Sequence, residues 1–303
     1  MKFTRRYFPG RTSPRLLVGL LLGVLISPLY SQLTIKNQFE FTHWYDYDRR
    51  IVENWSDALY QYRSLQTGAR FEINRPPDPF IFPQDSLLKN YELTFAFAEL
   101  HYKKLNLRAG NFYTMFGRGL SLRTYEDRNL RVDNNILGGK IELALDRIAI
   151  KTIAGQMRDK YNRRHDAIFG ADVELQPFSF WRLGGNMLGS DGGESRSIAA
   201  LRSDLNSSWG TFYAEFAKPE GTNHWSHYLG LTAAAGDFSL LAEYKDYHRL
   251  GFRNSDGAEY NAPPALTREH SFTLLNRHPH ALNSDDEKGW QFEATGMPDS
   301  TGT

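Results

Sequence analysis

The sequence predicts an all-β protein, a transmembrane antiparallel up-and-down β-barrel, on three observations. A basic and then apolar leader stands first. Runs of about ten residues follow in which apolar and polar side chains alternate. The connections between them are short and long by turns. Composition agrees, since 14% aromatic residues with 25 glycines favour strands and tight turns over a helical bundle. A mean hydropathy of −0.53 excludes a multi-helix membrane protein but not a barrel with a polar inner face. The absence of cysteine excludes disulfide scaffolds, thiolate metal sites and cysteine nucleophiles.

The leader carries Lys2, Arg5, Arg6, Arg11 and Arg15, an apolar run from Leu16 to Ile26, Pro28, and a small residue at Ser31. This is the three-part build of a secretory signal peptide, assigned to residues 1–31, with 32–303 as one barrel domain. The apolar run falls short of the ~20 residues that a spanning helix needs. Thr4-Arg5-Arg6-Tyr7-Phe8 also invites a twin-arginine reading, although nothing later resembles a cofactor site that would demand folded export. Without the five leader positives, 36 basic against 35 acidic residues become 31 against 35, a net charge of −4. That balance offers no footprint for nucleic acid. The expected location is the outer membrane, with its lipid and a small solute as partners.

The first strand places Leu33, Ile35, Phe39, Phe41 and Tyr45 on one face and Thr34, Lys36, Gln38, Glu40 and Thr42 on the other. Trp55 to Tyr62 reads as a second strand. Ala69, Phe71 and Ile73 then alternate with Arg70, Glu72 and Asn74, and Leu93, Phe95 and Phe97 with Glu92, Thr94 and Ala96. Leu105, Leu107 and Ala109 face away from Asn106, Arg108 and Gly110. The pattern returns around Ile141 to Leu145, Phe169 to Leu175 and Phe212 to Phe216.

Alternation alone does not name the solvent on the apolar side, because a water-soluble sheet with one buried face gives the same signal. The connections discriminate better. Short turns are expected at 64–66, 103–104, 146–147, 176–178, 206–208 and 236–237, and longer polar stretches at 46–55, 75–90, 114–135, 157–166, 190–195, 218–224 and 247–270. In a meander every second connection lies at the same end, which gathers the tight turns at one rim and the long loops at the other, as in outer-membrane barrels. Trp44, Tyr45, Tyr91, Tyr102, Trp181, Trp209, Tyr244 and Trp290 suit interfacial girdles, or ordinary packing at sheet ends.

The segment from Gly110 through Asn111-Phe112-Tyr113-Thr114-Met115-Phe116-Gly117-Arg118-Gly119-Leu120-Ser121-Leu122-Arg123, with Glu126-Asp127-Arg128, resembles a family of uncharacterised porin-like outer-membrane barrels. So does Leu274-Leu275-Asn276-Arg277-His278-Pro279-His280 with Asn283 and Asp286-Glu287. The resemblance implies fold and location and transfers no catalytic residues. Barrels of this type usually close on a strand with an aromatic end, whereas here Trp290, Phe292 and Ala294 run into 296–303. With about fifteen strand candidates and a general rule of even numbers, the expectation is a C-terminally truncated chain lacking its closing strands.

The charged stretch Arg118, Arg123, Glu126, Asp127, Arg128 and Arg131 is the candidate pore lining. Folded inward, opposed charges would narrow a lumen and bias which solutes pass; folded outward, they would form a solvated loop of weak ion pairs. Gly117 and Gly119 allow a sharp turn on either side of Arg118. His278 and His280 near Asp285, Asp286 and Glu287, or His224 with His227, lack specific metal-ligand spacing. Ser121 and His101 occur without a Gly-x-Ser-x-Gly elbow. No metal, cofactor or enzymatic activity is expected. A passive uptake channel is, and the alternatives are a non-conducting barrel scaffold and a secreted β-rich carbohydrate-binding or hydrolytic protein.

Overall fold

In the computed structural model, the described residues are 31–76, 90–127, 132–159, 162–193, 196–266 and 282–296. The proposed leader therefore lies outside them except for its last residue, Ser31, which begins the first strand. The strands are β1 Ser31–Trp44, β2 Arg49–Tyr62, β3 Leu65–Arg75, β4 Tyr91–Tyr102, β5 Leu105–Phe112, β6 Met115–Phe116, β7 Leu122–Arg123, β8 Glu126–Asp127 and β9 Val132–Asp133. They continue as β10 Ile136–Ala144, β11 Ile148–Met157, β12 Ala167–Phe178, β13 Trp181–Ser190, β14 Ser197–Ser207, β15 Gly210–Pro219, β16 Ser226–Ala235, β17 Phe238–His248 and β18 Asp286–Gly296. Fourteen of them, all but β6 to β9, form one sheet in chain order with every neighbour antiparallel. This is an up-and-down meander whose two edges are β1 and β18.

The face pattern is the reverse of a water-soluble sheet. Ile35, Phe39, Phe71, Leu93, Ile141, Phe169, Leu201 and Phe292 point outward and stay exposed, Ile35 at 67% and Phe292 at 65%. Glu53, Glu72, Glu99, Asp172, Glu215 and Lys245 point inward and are buried. Contiguous exposed apolar surface on this scale is foreign to soluble monomers and is what a lipid-facing barrel wall presents. Tyr102, Trp181 and Trp209 lie beside the short turns, and Trp44, Tyr45 and Tyr91 lie at the opposite end. Tyr244 and Trp290 sit mid-strand and pair with each other across β17 and β18.

Two sequence expectations are corrected. The long stretch expected at 46–55 is a link of four residues, 45–48, because β2 already begins at Arg49. Its polar residues looked loop-like, yet Glu53 faces the interior between Ile51 and Trp55. The main sheet holds fourteen strands among the described residues. Finally, Phe95 and Phe97 do not share the outward face of Leu93. The β3–β4 register slips between Arg70 and Phe71, so Arg70 opposes Phe95 while Phe71 opposes Leu93. This bulge turns both phenylalanines inward, where the Arg70 guanidinium lies 5.7 Å from the Phe95 ring and that of Arg108 lies 3.7 Å from the Phe97 ring.

Candidate functional site

After Phe112 the chain leaves the wall, and the described residues 113–127 and 132–135 fold into the interior with two small antiparallel pairings, β6 with β7 and β8 with β9. Its hydrophobic anchors make this necessary. Phe116, Leu120 and Leu122 are fully buried, joining Phe112, Ile136, Ile168, Leu188 and Tyr228 in one apolar cluster. Each such side chain contributes roughly 1.5–3 kcal/mol on burial, more than any exposed conformation of the segment would recover. Residues 249–266 fold inward beside it and add Leu250, Phe252 and Tyr260. The two segments are tied by backbone: the Arg123 N–H donates to the Tyr260 carbonyl at 3.0 Å and the Ala262 N–H to the Gly119 carbonyl at 3.2 Å. The Asn261 amide donates to the carbonyls of Leu120 and Leu250.

The first segment grips the wall on widely separated strands. The Arg118 N–H donates to Glu215 on β15 at 2.8 Å, and its guanidinium donates to the Tyr228 hydroxyl on β16 at 3.0 Å while lying 4.4 Å from the Tyr213 ring. Ser121 bonds Asn186 on β13 at 2.6 Å. At the far end Glu126 accepts from Arg70 on β3 at 2.7 Å, and Arg70 also holds Asp57 on β2 at 2.6 Å. In a flat sheet, the eight strand steps from β3 to β15 would separate these anchors by about 38 Å. Eight fully extended residues cover at most about 29 Å, and this stretch is folded into hairpins. The sheet therefore curls around the segment.

Of the candidate lining residues, Arg118 and Glu126 are drawn into wall contacts and Asp127 is half-buried in the same segment. Arg123 stays exposed, its guanidinium 5.4 Å from the Tyr125 ring. Arg128 and Arg131 lie outside the described residues, as do His278 and His280. Asp133 gathers the segment's return, accepting from the Tyr113 hydroxyl at 2.8 Å and from Arg158 at 3.0 Å. Burial, with the carboxylates of Asp133 and Glu126 nearby, pushes the Tyr113 phenol above its ordinary range, so it acts as a donor.

The remaining inward wall carries opposed charges in cross-strand pairs. Arg108 meets Glu99 at 3.0 Å, Arg202 bonds Asp172 and Glu174, and Arg182 meets Asp204 at 2.6 Å. The other motifs behave differently. His227 lies against Phe216 and Tyr244 while His224 lies against His248, so the two do not converge. Ser121 is spent on Asn186, and His101 sits at the short-turn end of β4. Asp159, His165 and Asp256 bring one ligand atom each within 4.8 Å of one another, the His165 ring pairing with Asp256 at 3.0 Å. Sequence reading missed the second inward segment and its anchors; the available signal was Leu250, Phe252 and Tyr260 inside an otherwise polar loop.

Residues 30–193 and 204–297 match the family described as "Family of unknown function (DUF6029)". No curated protein matches the chain in sequence. Among solved structures, Pseudomonas aeruginosa OpdQ is 10% identical, with 88% of this chain and 75% of that one covered at a TM-score of 0.55. Pseudomonas aeruginosa OccK8 (OprE) is 9% identical, with coverages of 72% and 67% and a TM-score of 0.49. A mutant of Rh. blastica porin is 11% identical, with coverages of 71% and 94% and a TM-score of 0.36. At 10% identity the likeness to OpdQ is one of fold.

Proposed function

The chain belongs to the DUF6029 family, and from that premise we propose that it is a porin-like outer-membrane channel through which small solutes diffuse passively. One observation carries the reading above the rest: the sheet's charged residues are buried inside while its large apolar residues stand exposed outside. A secreted binding protein or hydrolase needs the opposite arrangement. In the channel reading, the inward residues 113–127 narrow the lumen. Arg118, Arg123, Glu126 and Asp127 then border the passage together with the wall residues Arg70 and Asp57, and Arg128 and Arg131 follow them in the sequence. Selection follows from charge and width, and no chemistry on the solute is required.

The apolar packing of the two inward segments favours a second reading, a plugged barrel that serves as a scaffold. Planar-bilayer recording of the purified protein decides between them. Discrete current steps in potassium chloride support the channel, and a protein that shifts on heating in detergent gels but never conducts sinks it.

A further inference from the structure

Where the chain leaves the wall at Phe112, the wall opens. The β4–β5 ladder runs only from Tyr102 opposite Leu105 to Phe97 opposite Gly110, so residues 91–96 of β4 have no ladder partner on that side among the described residues. β5 itself stays paired with β10 up to Phe112 opposite Ile136. Asn111 bridges the seam: its side-chain Oδ1 accepts the Ala96 N–H at 2.8 Å and its side-chain amide donates to the Asn135 Oδ1 at 2.7 Å. A notch with a cavity of about 570 Å³ occupies the seam, within the roughly 300–1,000 Å³ of small-ligand sites.

The lining is divided by chemistry. Leu93 and Leu137, both exposed on the outer face, form one side. Thr94, Arg163, Arg164 and His165 form the other. Arg158 and Glu92 also border it, but Arg158 is held by Asp133. Arg164 is different. Its guanidinium donates to the carbonyls of Asn135 and Gln156 and to the Asn135 side chain, and it meets no carboxylate within ion-pair distance among the described residues. Three of its five N–H donors are used. Burial, followed by repulsion from Arg158, brings its pKa down to about 10, which leaves it charged at neutral pH. The close partners of this guanidinium are all neutral acceptors, and the carboxylates of Asp133 and Glu92 act on it only at longer range, so beside an apolar lip that faces lipid it can still take a direct anionic partner.

We infer that this notch between β4 and β10 binds an anionic amphiphile, with its carboxylate or phosphate head on Arg164 and its acyl chain along Leu93 and Leu137. The inference rests on lipid facing the outer wall but not on conduction, so a barrel that passes no current would bind the amphiphile equally well.

The test is native mass spectrometry of the full chain in a non-ionic detergent, titrated with sodium palmitate and, separately, with inorganic phosphate. One palmitate per chain is expected to bind saturably, without displacement by phosphate. Arg164→Gln should weaken it about tenfold or more, as loss of a charge-assisted pair predicts, and Arg164→Lys should retain most of it. Leu137→Ser, on the outer face and away from the hydrogen-bond network, should weaken palmitate binding too, and it keeps the test open if Arg164→Gln fails to fold. Unchanged palmitate affinity in Arg164→Gln or Leu137→Ser overturns the inference. Displacement of palmitate by millimolar phosphate overturns it as well, since the site would then belong to free anions.

Discussion

Glu215 fills the space that a side chain at Gly117 would need: a Cβ there would lie 2.2 Å from its Oε1. Gly117 has φ +54, a left-handed conformation open to glycine. Glu215 is fully buried, with Oε2 accepting from the Arg118 N–H and from the Tyr213 hydroxyl at 2.6 Å. Tip and wall therefore fix each other.

Gly117→Ala is expected to destabilise the docked segment by about 1–3 kcal/mol through strain and collision. The checks are a lower midpoint in heat-shift gels and noisier, larger single-channel currents. Adding Glu215→Ala should recover part of the loss, because the two changes share one contact. Additive effects of the two would sink this account of the latch.

Arg70 stands between Asp57 and Glu126. Arg70→Gln leaves two carboxylates without their cation, and the reversal potential in a potassium chloride gradient should move towards cation selectivity. Glu126→Gln should move it the other way by less, since Asp57 still accompanies Arg70. Reversal potentials that stay put in both variants would show that solutes do not pass this pair.

The two faces of the wall should respond oppositely to the same side chain. Leu201, 60% exposed on the outer face near the middle of β14, should lose about 2–4 kcal/mol as Leu201→Arg. Thr232→Arg, on the inward side of β16, should cost less than about 1 kcal/mol. Urea titrations in lipid vesicles measure both, and equal costs would mean that lipid does not touch the outer face.

The second inward segment is held by an acid-sensitive link. Arg253 bonds Asp285 at 2.6 Å, and the Gly251 N–H reaches the same carboxylate at 3.1 Å. Burial opposes ionisation of Asp285, but these donors outweigh it and hold the carboxyl below its ordinary value. A lowered pKa in the folded state means that the link is complete above the ordinary aspartate value and is lost as pH falls through the depressed one. Proteolysis of residues 249–266 should therefore stay slow from neutral pH to about pH 4 and quicken below it. Asp285→Asn should cleave faster at neutral pH and lose that acid dependence.

Much of this protein is local and therefore legible in the chain itself. The period-two pattern of Leu33 to Thr42 sets a strand with one apolar and one polar face, and the alternation of short and long connections sets the meander, because both follow from backbone geometry between near neighbours. What a loop packs against is a matter of distant residues. Only the tertiary structure decided that residues 113–127 turn inward, that Glu126 meets Arg70 and Arg118 meets Glu215, and that a one-residue slip on β4 sends Phe95 and Phe97 inside. Those outcomes depend on volumes and charges brought together from opposite sides of a curled sheet, and no spacing along the sequence encodes that distance.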